Sequence, residues 1–228
     1  TGCGGPWINI ANGGIYSGAT TATLTLTAAT TAMNGYGYRC VINGTCTPAA
    51  ASNCGSLTVN TPVSISSQPA SSTICAGTNT SFVIAASGTA PTYQWQESTN
   101  GGAAWTNVSN GAVYAGATTN TLTLTGVTAG MTSYQYRCVV NGTAPCGSVN
   151  STAVTLTVDT APAITTQPVA TTTLCVGGNT TYTVAANGTA LTYQWQESTN
   201  GGTSWSNLVN AGVYSGVTTA TLTVTGVT

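Results

Sequence analysis

Residues 92–102 read Thr-Tyr-Gln-Trp-Gln-Glu-Ser-Thr-Asn-Gly-Gly, and residues 192–202 repeat them without a change. Identity at such a distance makes the chain an array, so the repeated unit is what has to fold. Other landmarks keep the same spacing. Trp7, Trp105 and Trp205 correspond, as do Tyr16, Tyr114 and Tyr214, at steps of 98 and 100 residues. Tyr38-Arg39-Cys40 matches Tyr136-Arg137-Cys138, and Cys75-Ala76-Gly77 matches Cys175-Val176-Gly177. A unit of about 100 residues is large enough for a core of its own. The 228 residues then divide into the rear part of a first unit (1–60), a complete second unit (61–159) and the front part of a third (160–228). On this division the chain is expected to be a window from a longer repeat protein. Completion of open halves by neighbouring chains is the alternative, and duplication of the same strands at the two ends speaks against it.

Within the unit, residues 121–124 read Thr-Leu-Thr-Leu, and residues 23–26 repeat the phrase. Period-two alternation is the mark of a half-buried strand. In the complete unit the pattern predicts strands over 63–66, 72–75, 80–86, 92–98, 105–108, 112–114, 120–125, 133–140 and 153–158. In the first unit it predicts strands over 21–27, 36–42 and 56–59. Short strands with Gly, Pro and Asn between them, about ten residues apart, predict an all-β sandwich in tandem repeats.

Charged residues make up 2% of the chain: Arg39, Glu97, Arg137, Asp159 and Glu197, with no His and no Lys. General acid–base catalysis needs positioned titratable groups, and each unit offers about one Glu and one Arg. Zinc and calcium sites need clusters of His, Cys or carboxylate. Nucleic acid needs cations against its phosphates, and two arginines cannot supply them. The expectation is therefore a non-catalytic protein without cofactor, metal or nucleic-acid partner. Thr interrupts every apolar stretch, so no segment reaches the roughly 20 apolar residues of a spanning helix.

The unit resembles an immunoglobulin-like domain. Ala86-Ser87-Gly88, Pro91 and Trp95 look like the junction of the B and C strands. Leu122-Thr123-Leu124, Val127 and Tyr136-Arg137-Cys138 look like the E–F part. The resemblance implies that Trp95 and its copy Trp195 pack at the sandwich centre. It implies that Tyr136 and Tyr38 form the corner hydrogen bond of such domains. There are two departures: Ile84 stands where the B-strand cysteine would fall, and Met131 and Met33 replace the usual Asp before the corner. The phrases Tyr-Gln-Trp-Gln-Glu-Ser-Thr-Asn-Gly-Gly, Val-Tyr-Ala-Gly-Ala-Thr-Thr and Tyr-Arg-Cys are similar to the tandem repeats of large secreted and surface proteins of Bacteroidetes-type bacteria. That resemblance implies an extracellular, cell-surface setting.

Eight cysteines without metal-ligand spacing point to an oxidising compartment and disulfides, against buried free thiols. Cys40 with Cys46, and Cys138 with Cys146, are candidates for bridges within a hairpin. Cys75 with Cys138 is a second option. Cys75, or its copy Cys175, with the hairpin-tip cysteine of the following unit is a third, since an immunoglobulin-like A–B turn faces the next domain. Cys3 and Cys54 have no counterparts in the second unit, which leaves an irregular pair or a link between chains. Trp105 and Trp205 either cover the core edge or stack on sugar rings. Strand alternation sets Glu97 and Arg137 on opposite faces. Asp159-Thr160-Ala161 resembles a Bacteroidetes O-glycosylation signal, which makes Thr160 a candidate glycan site. The expected role is a structural repeat of a secreted, disulfide-stabilised filament or surface stalk. Its expected partners are copies of itself or neighbouring repeats, with glycans as a further class. An adhesin or carbohydrate-binding module is the alternative.

Overall fold

The computed structural model describes residues 2–227. Among these residues the only helical elements are the 3-10 turns Gly2–Gly4, Thr31–Met33 and Ala129–Met131. The middle stretch carries a closed sandwich. One sheet runs Thr106–Asn107, Thr92–Ser98, Gln135–Asn141, Val154–Asp159 and Ser72–Cys75, with Ser148–Asn150 alongside Gln135–Asn141. Facing it, Thr121–Leu124 lies between Tyr114–Ala115 and Thr80–Val83, while Ala85–Ser87 pairs with Ser64–Ser67.

Alternation of side chains decides what lies between the sheets. In Gln135–Asn141, Tyr136, Cys138 and Val140 are buried. Leu122 and Leu124 face them from Thr121–Leu124. Phe82, Ile84, Trp95, Val127, Met131 and Leu156 complete the core. Ile84 and Cys138 thus share one apolar core, where a second cysteine opposite Cys138 would have made the inter-sheet bridge. Met131 is buried beneath its 3-10 turn, as Met33 is in the first stretch, so the position before the corner fills space there.

The strand at Thr92–Ser98 has the predicted bounds. Ser72–Cys75 has them too, while other segments depart from the alternation. The strand predicted over 80–86 is two elements in different pairings: Ile84 donates its N–H to the Asn120 carbonyl at 3.0 Å, and the register slips between Ala85 and Ala86. This lets one segment serve two partners. The strand predicted over 36–42 is likewise divided into Gly37–Tyr38 and Val41–Ile42. Tyr16–Ser17 lies outside the predicted strands, and so do Ser148–Asn150 and its counterpart Ala50–Ala51, the return limbs of the hairpins. They are too short for an apolar period to show, with Val149 the one apolar residue packed on the core, and pairing makes them strands.

Ser72–Cys75 and Val154–Asp159 run parallel, with Leu156 opposite Ser72 and Asp159 opposite Cys75. The third stretch repeats the front of this arrangement around Leu208, Val217 and Leu222, with Trp195 and Tyr214 packed on them. No described helix is long and apolar enough to cross a membrane.

Candidate functional site

The repeated phrase is accounted for residue by residue. Gln94 donates its amide to the Trp95 and Val108 carbonyls at 2.8 and 2.9 Å. Trp95 is fully buried, and its indole N–H reaches the Thr119 carbonyl at 3.0 Å. Gln96 donates to Asn107 Oδ1 at 2.9 Å and accepts from Arg137 Nε at 2.8 Å. Ser98 Oγ accepts the Gly102 N–H at 2.9 Å and donates to Asn100 Oδ1, closing the turn. The copy in the third stretch repeats the Gln194, Trp195 and Ser198 contacts. Among the described residues, no buried side-chain nitrogen or oxygen lacks a partner. Buried polar groups of this kind hold a fold only when satisfied.

Glu97 sits at the end of a polar chain. It accepts the Tyr114 hydroxyl at 2.6 Å, and the Tyr114 and Tyr136 hydroxyls are 3.1 Å apart. The Tyr136 ring stacks on Phe82 with centroids 5.1 Å apart. The tyrosine therefore bonds to a second tyrosine, which corrects the expected corner bond. Glu97 and Tyr114 draw its hydroxyl inward. Tyr38 does the same with Tyr16 at 3.3 Å, and Tyr214 donates to Glu197 at 2.8 Å. Burial pushes the Tyr136 hydroxyl up to about 12. It pushes Tyr114 higher still, with the bond to Glu97 adding to the effect. These groups are held neutral and are no general bases at ordinary pH.

The same strand points Arg137 to the opposite face, where its guanidinium lies 4.3 Å from the centre of the Trp105 ring. Arg39 covers Trp7 in the same way at 4.4 Å. This corrects the core-edge reading of Trp105. The indole lies on the outer face of the sheet, and the arginine covers one of its two faces. Trp205 is 60% exposed.

The cysteines separate into classes. Cys3 and Cys54 are bonded to each other, with Cα atoms 5.7 Å apart. The other six are thiols in the structure: Cys40, Cys46, Cys75 and Cys175 exposed, Cys146 half-buried and Cys138 buried. The hairpin pair Cys138–Cys146 is not formed, because Cys138 faces the core opposite Trp95 while Cys146 points to the Asn60 carbonyl. Cys40 and Cys46 are likewise unbonded. Cys75–Cys138 is not formed either, since Cys75 faces outward beside Asp159. Burial raises the Cys138 thiol to about 11. Thr160 is half-buried, its hydroxyl 3.3 Å from that of Thr189.

The sequence pattern did not single out several side chains that hold the backbone. Asn110 Oδ1 accepts the Ala117 N–H at 2.8 Å, and Asn12 and Asn210 do the same for Ala19 and Val217. Ser151 Oγ accepts the Cys138 N–H at 2.9 Å and Ser52 that of Cys40 at 2.9 Å. Their recurrence at the unit spacing was the available signal. No group of three or more His, Cys, Asp or Glu that could hold a metal occurs among the described residues.

Comparison with known proteins gives the fold. A domain of unknown function (DUF8696) matches residues 64–160. No curated protein matches the chain. Among solved structures, the I-band fragment I67-I69 from titin superposes with a TM-score of 0.54 at 17% identity, covering 73% of this chain and 56% of that one. Sidekick-1 immunoglobulin domains 1-5 give 0.53 at 15%, covering 96% and 46%. Drosophila OTK extracellular domains 3-5 give 0.50 at 18%, covering 90% and 65%. The chain thus spans little more than half of the titin fragment. With the two facing sheets and their order already described, these superpositions make the chain a tandem array of immunoglobulin-like β-sandwiches.

Proposed function

We propose that the chain is a structural segment, with units at 1–60, 61–159 and 160–228, of a secreted filament or cell-surface stalk that performs no catalysis. The observation that carries this reading is the internal use of the repeated polar residues. Glu97, Arg137, Gln94, Gln96 and Ser98 each hold another part of the same sandwich. A binding or catalytic site would need such groups directed outward at a ligand. Here the feature that recurs from unit to unit is the scaffold. The arginine over Trp105 and Trp7 further weakens the carbohydrate-binding alternative, because one stacking face of each indole is occupied. The similarity of the repeat phrases to those of bacterial surface proteins supports the extracellular setting, as does the Cys3–Cys54 bridge.

Electron microscopy of the protein in its natural assembly tests the proposal. The expected result is extended, uniform strands with an axial repeat set by one sandwich. Discrete globular particles without such a repeat would overturn it. Saturable binding of a defined glycan that Trp105→Ala abolishes would favour the adhesin instead.

A further inference from the structure

Each end of the middle sandwich carries a cysteine with no sulfur partner in its own unit. At one end Cys75 is exposed and lies in register with Asp159. The next N–H, that of Ala76, donates to the Asp159 carbonyl at 2.7 Å. At the other end Cys146 sits in the turn after Gln135–Asn141, its Sγ 3.4 Å from the Asn60 carbonyl oxygen of the preceding stretch.

Asn60 and Asp159 occupy the same position of the repeat. Just before them, Val59 and Val158 donate their N–H groups to Asn34 and Thr132, which are themselves corresponding positions. Just after them, Thr61 and Thr160 donate to Thr89 and Thr189 at 2.8 and 2.9 Å. A side chain added at Gly88 would meet Pro62 and Val63, and one added at Gly188 would meet Ala161 and Pro162. The two junctions are therefore built alike, and each shows one half of the same arrangement. Placing one junction on the other brings the Ala76 N–H and the Cys146 thiol to a single carbonyl oxygen. The Ala76 nitrogen, next in the chain after Cys75, and the Cys146 sulfur then lie within about 6 Å of each other, so both cysteines meet at one carbonyl, and a bridge needs their Cα atoms to settle about 4.4–6.8 Å apart.

We infer that where two complete units follow one another, the cysteine at the Cys75 position of one is disulfide-bonded to the cysteine at the Cys146 position of the next. The sequence repeats the first position as Cys175 and places Cys46 in the hairpin that corresponds to that of Cys146. The competing partner inside the unit, Cys138, is fully buried and faces the other way. Bond formation takes two electrons and two protons from the two thiols. A small-molecule disulfide accepts them through a mixed-disulfide intermediate and leaves as two thiols. The bridge deepens the stalk reading, since it would tie each sandwich to its neighbour, but it requires only the tandem arrangement.

The test is a chain with a second copy of residues 61–159 inserted after Asp159, refolded in a glutathione redox buffer and digested without reduction. Mass spectrometry is expected to find Cys75 of the first copy linked to Cys146 of the second. Cys146→Ser in the second copy is expected to leave that Cys75 fully open to alkylation. In the original chain, in dilute solution, Cys75 and Cys146 are both expected to alkylate. A free Cys75 in a folded, duplicated chain would overturn the inference, and so would Cys146 bonded to Cys138 of its own unit. Because the readout is the bond itself, its failure stays distinct from a failure to find filaments.

Discussion

At the scale of single residues, the tightest constraint is a glycine that the repeat carries in every unit. Gly116 has φ +77°, and a Cβ there would stand 2.1 Å from the Thr121 carbonyl oxygen. Gly18 and Gly216 show the same approach, at 2.1 and 2.3 Å. The loop needs this contact, because Thr119 Oγ1 bonds to the Gly116 and Thr121 carbonyls at 3.1 and 2.8 Å. A backbone oxygen cannot step aside as a flexible side chain can. Gly116→Ala is therefore expected to destabilise the middle sandwich by about 3 kcal/mol, at the upper end for backbone strain of this kind. Chemical denaturation followed by tryptophan fluorescence reads this directly. An unchanged midpoint would show that the loop can open without cost to the core.

At the scale of elements, the first stretch solves a local problem differently from the second. In the middle sandwich, Gln135 opens the Gln135–Asn141 strand and its side chain reaches the Gly102 turn. The corresponding position in the first stretch is Gly37, where a Cβ would lie 2.9 Å from Cys54 Sγ. The bond between Cys3 and Cys54 occupies that space and joins residues 51 apart in sequence. Cys54→Ser is expected to cost the first stretch about 2–4 kcal/mol. Limited proteolysis should then cut within residues 2–59 while the middle sandwich survives. Equal protection with and without the bond would contradict this. The same elements show what was legible in the sequence. Thr92–Ser98 could be read because alternation, Trp95 and the Asn-Gly-Gly turn agree. Ser148–Asn150 could not, because only its neighbour makes it a strand. The Trp105–Arg137 stack joins residues far apart in sequence across the intervening Thr92–Ser98 strand, and alternation along one strand gives a face but not a partner. The Cys3–Cys54 pair breaks the repeat, and that break left an irregular pair or a link between chains as the two readings, of which the structure shows the pair.

At the scale of the whole molecule, neutrality and burial set opposite sensitivities. Five charged side chains in 228 residues leave little for salt to screen. Tyr136 and Cys138 are different, since burial raises them to about 12 and about 11. A group whose folded pKa lies above its unfolded value stabilises the fold fully below the unfolded value and loses that contribution as pH rises through the folded one. With ordinary values of 9.0 for the thiol and 10.0 for the phenol, stability is expected to fall between about pH 9 and 12. The expected outcome is a thermal midpoint that hardly moves between dilute and molar salt and drops steeply across that alkaline window. Tyr136→Phe should remove the phenol's share of the drop. A profile flat through pH 12 would show that these hydroxyls are not held neutral by the fold.

The parallel pairing of Ser72–Cys75 with Val154–Asp159 has a mechanical consequence. One strand lies near the point where the chain enters the sandwich, and the other carries it out. Tension applied along the array pulls these neighbours in opposite directions along their common axis. The four registered residue pairs then meet the load together, in shear, where a hairpin pulled from its open end would unzip one pair at a time. Rupture of such a patch demands simultaneous failure, so the middle sandwich is arranged to yield late under force.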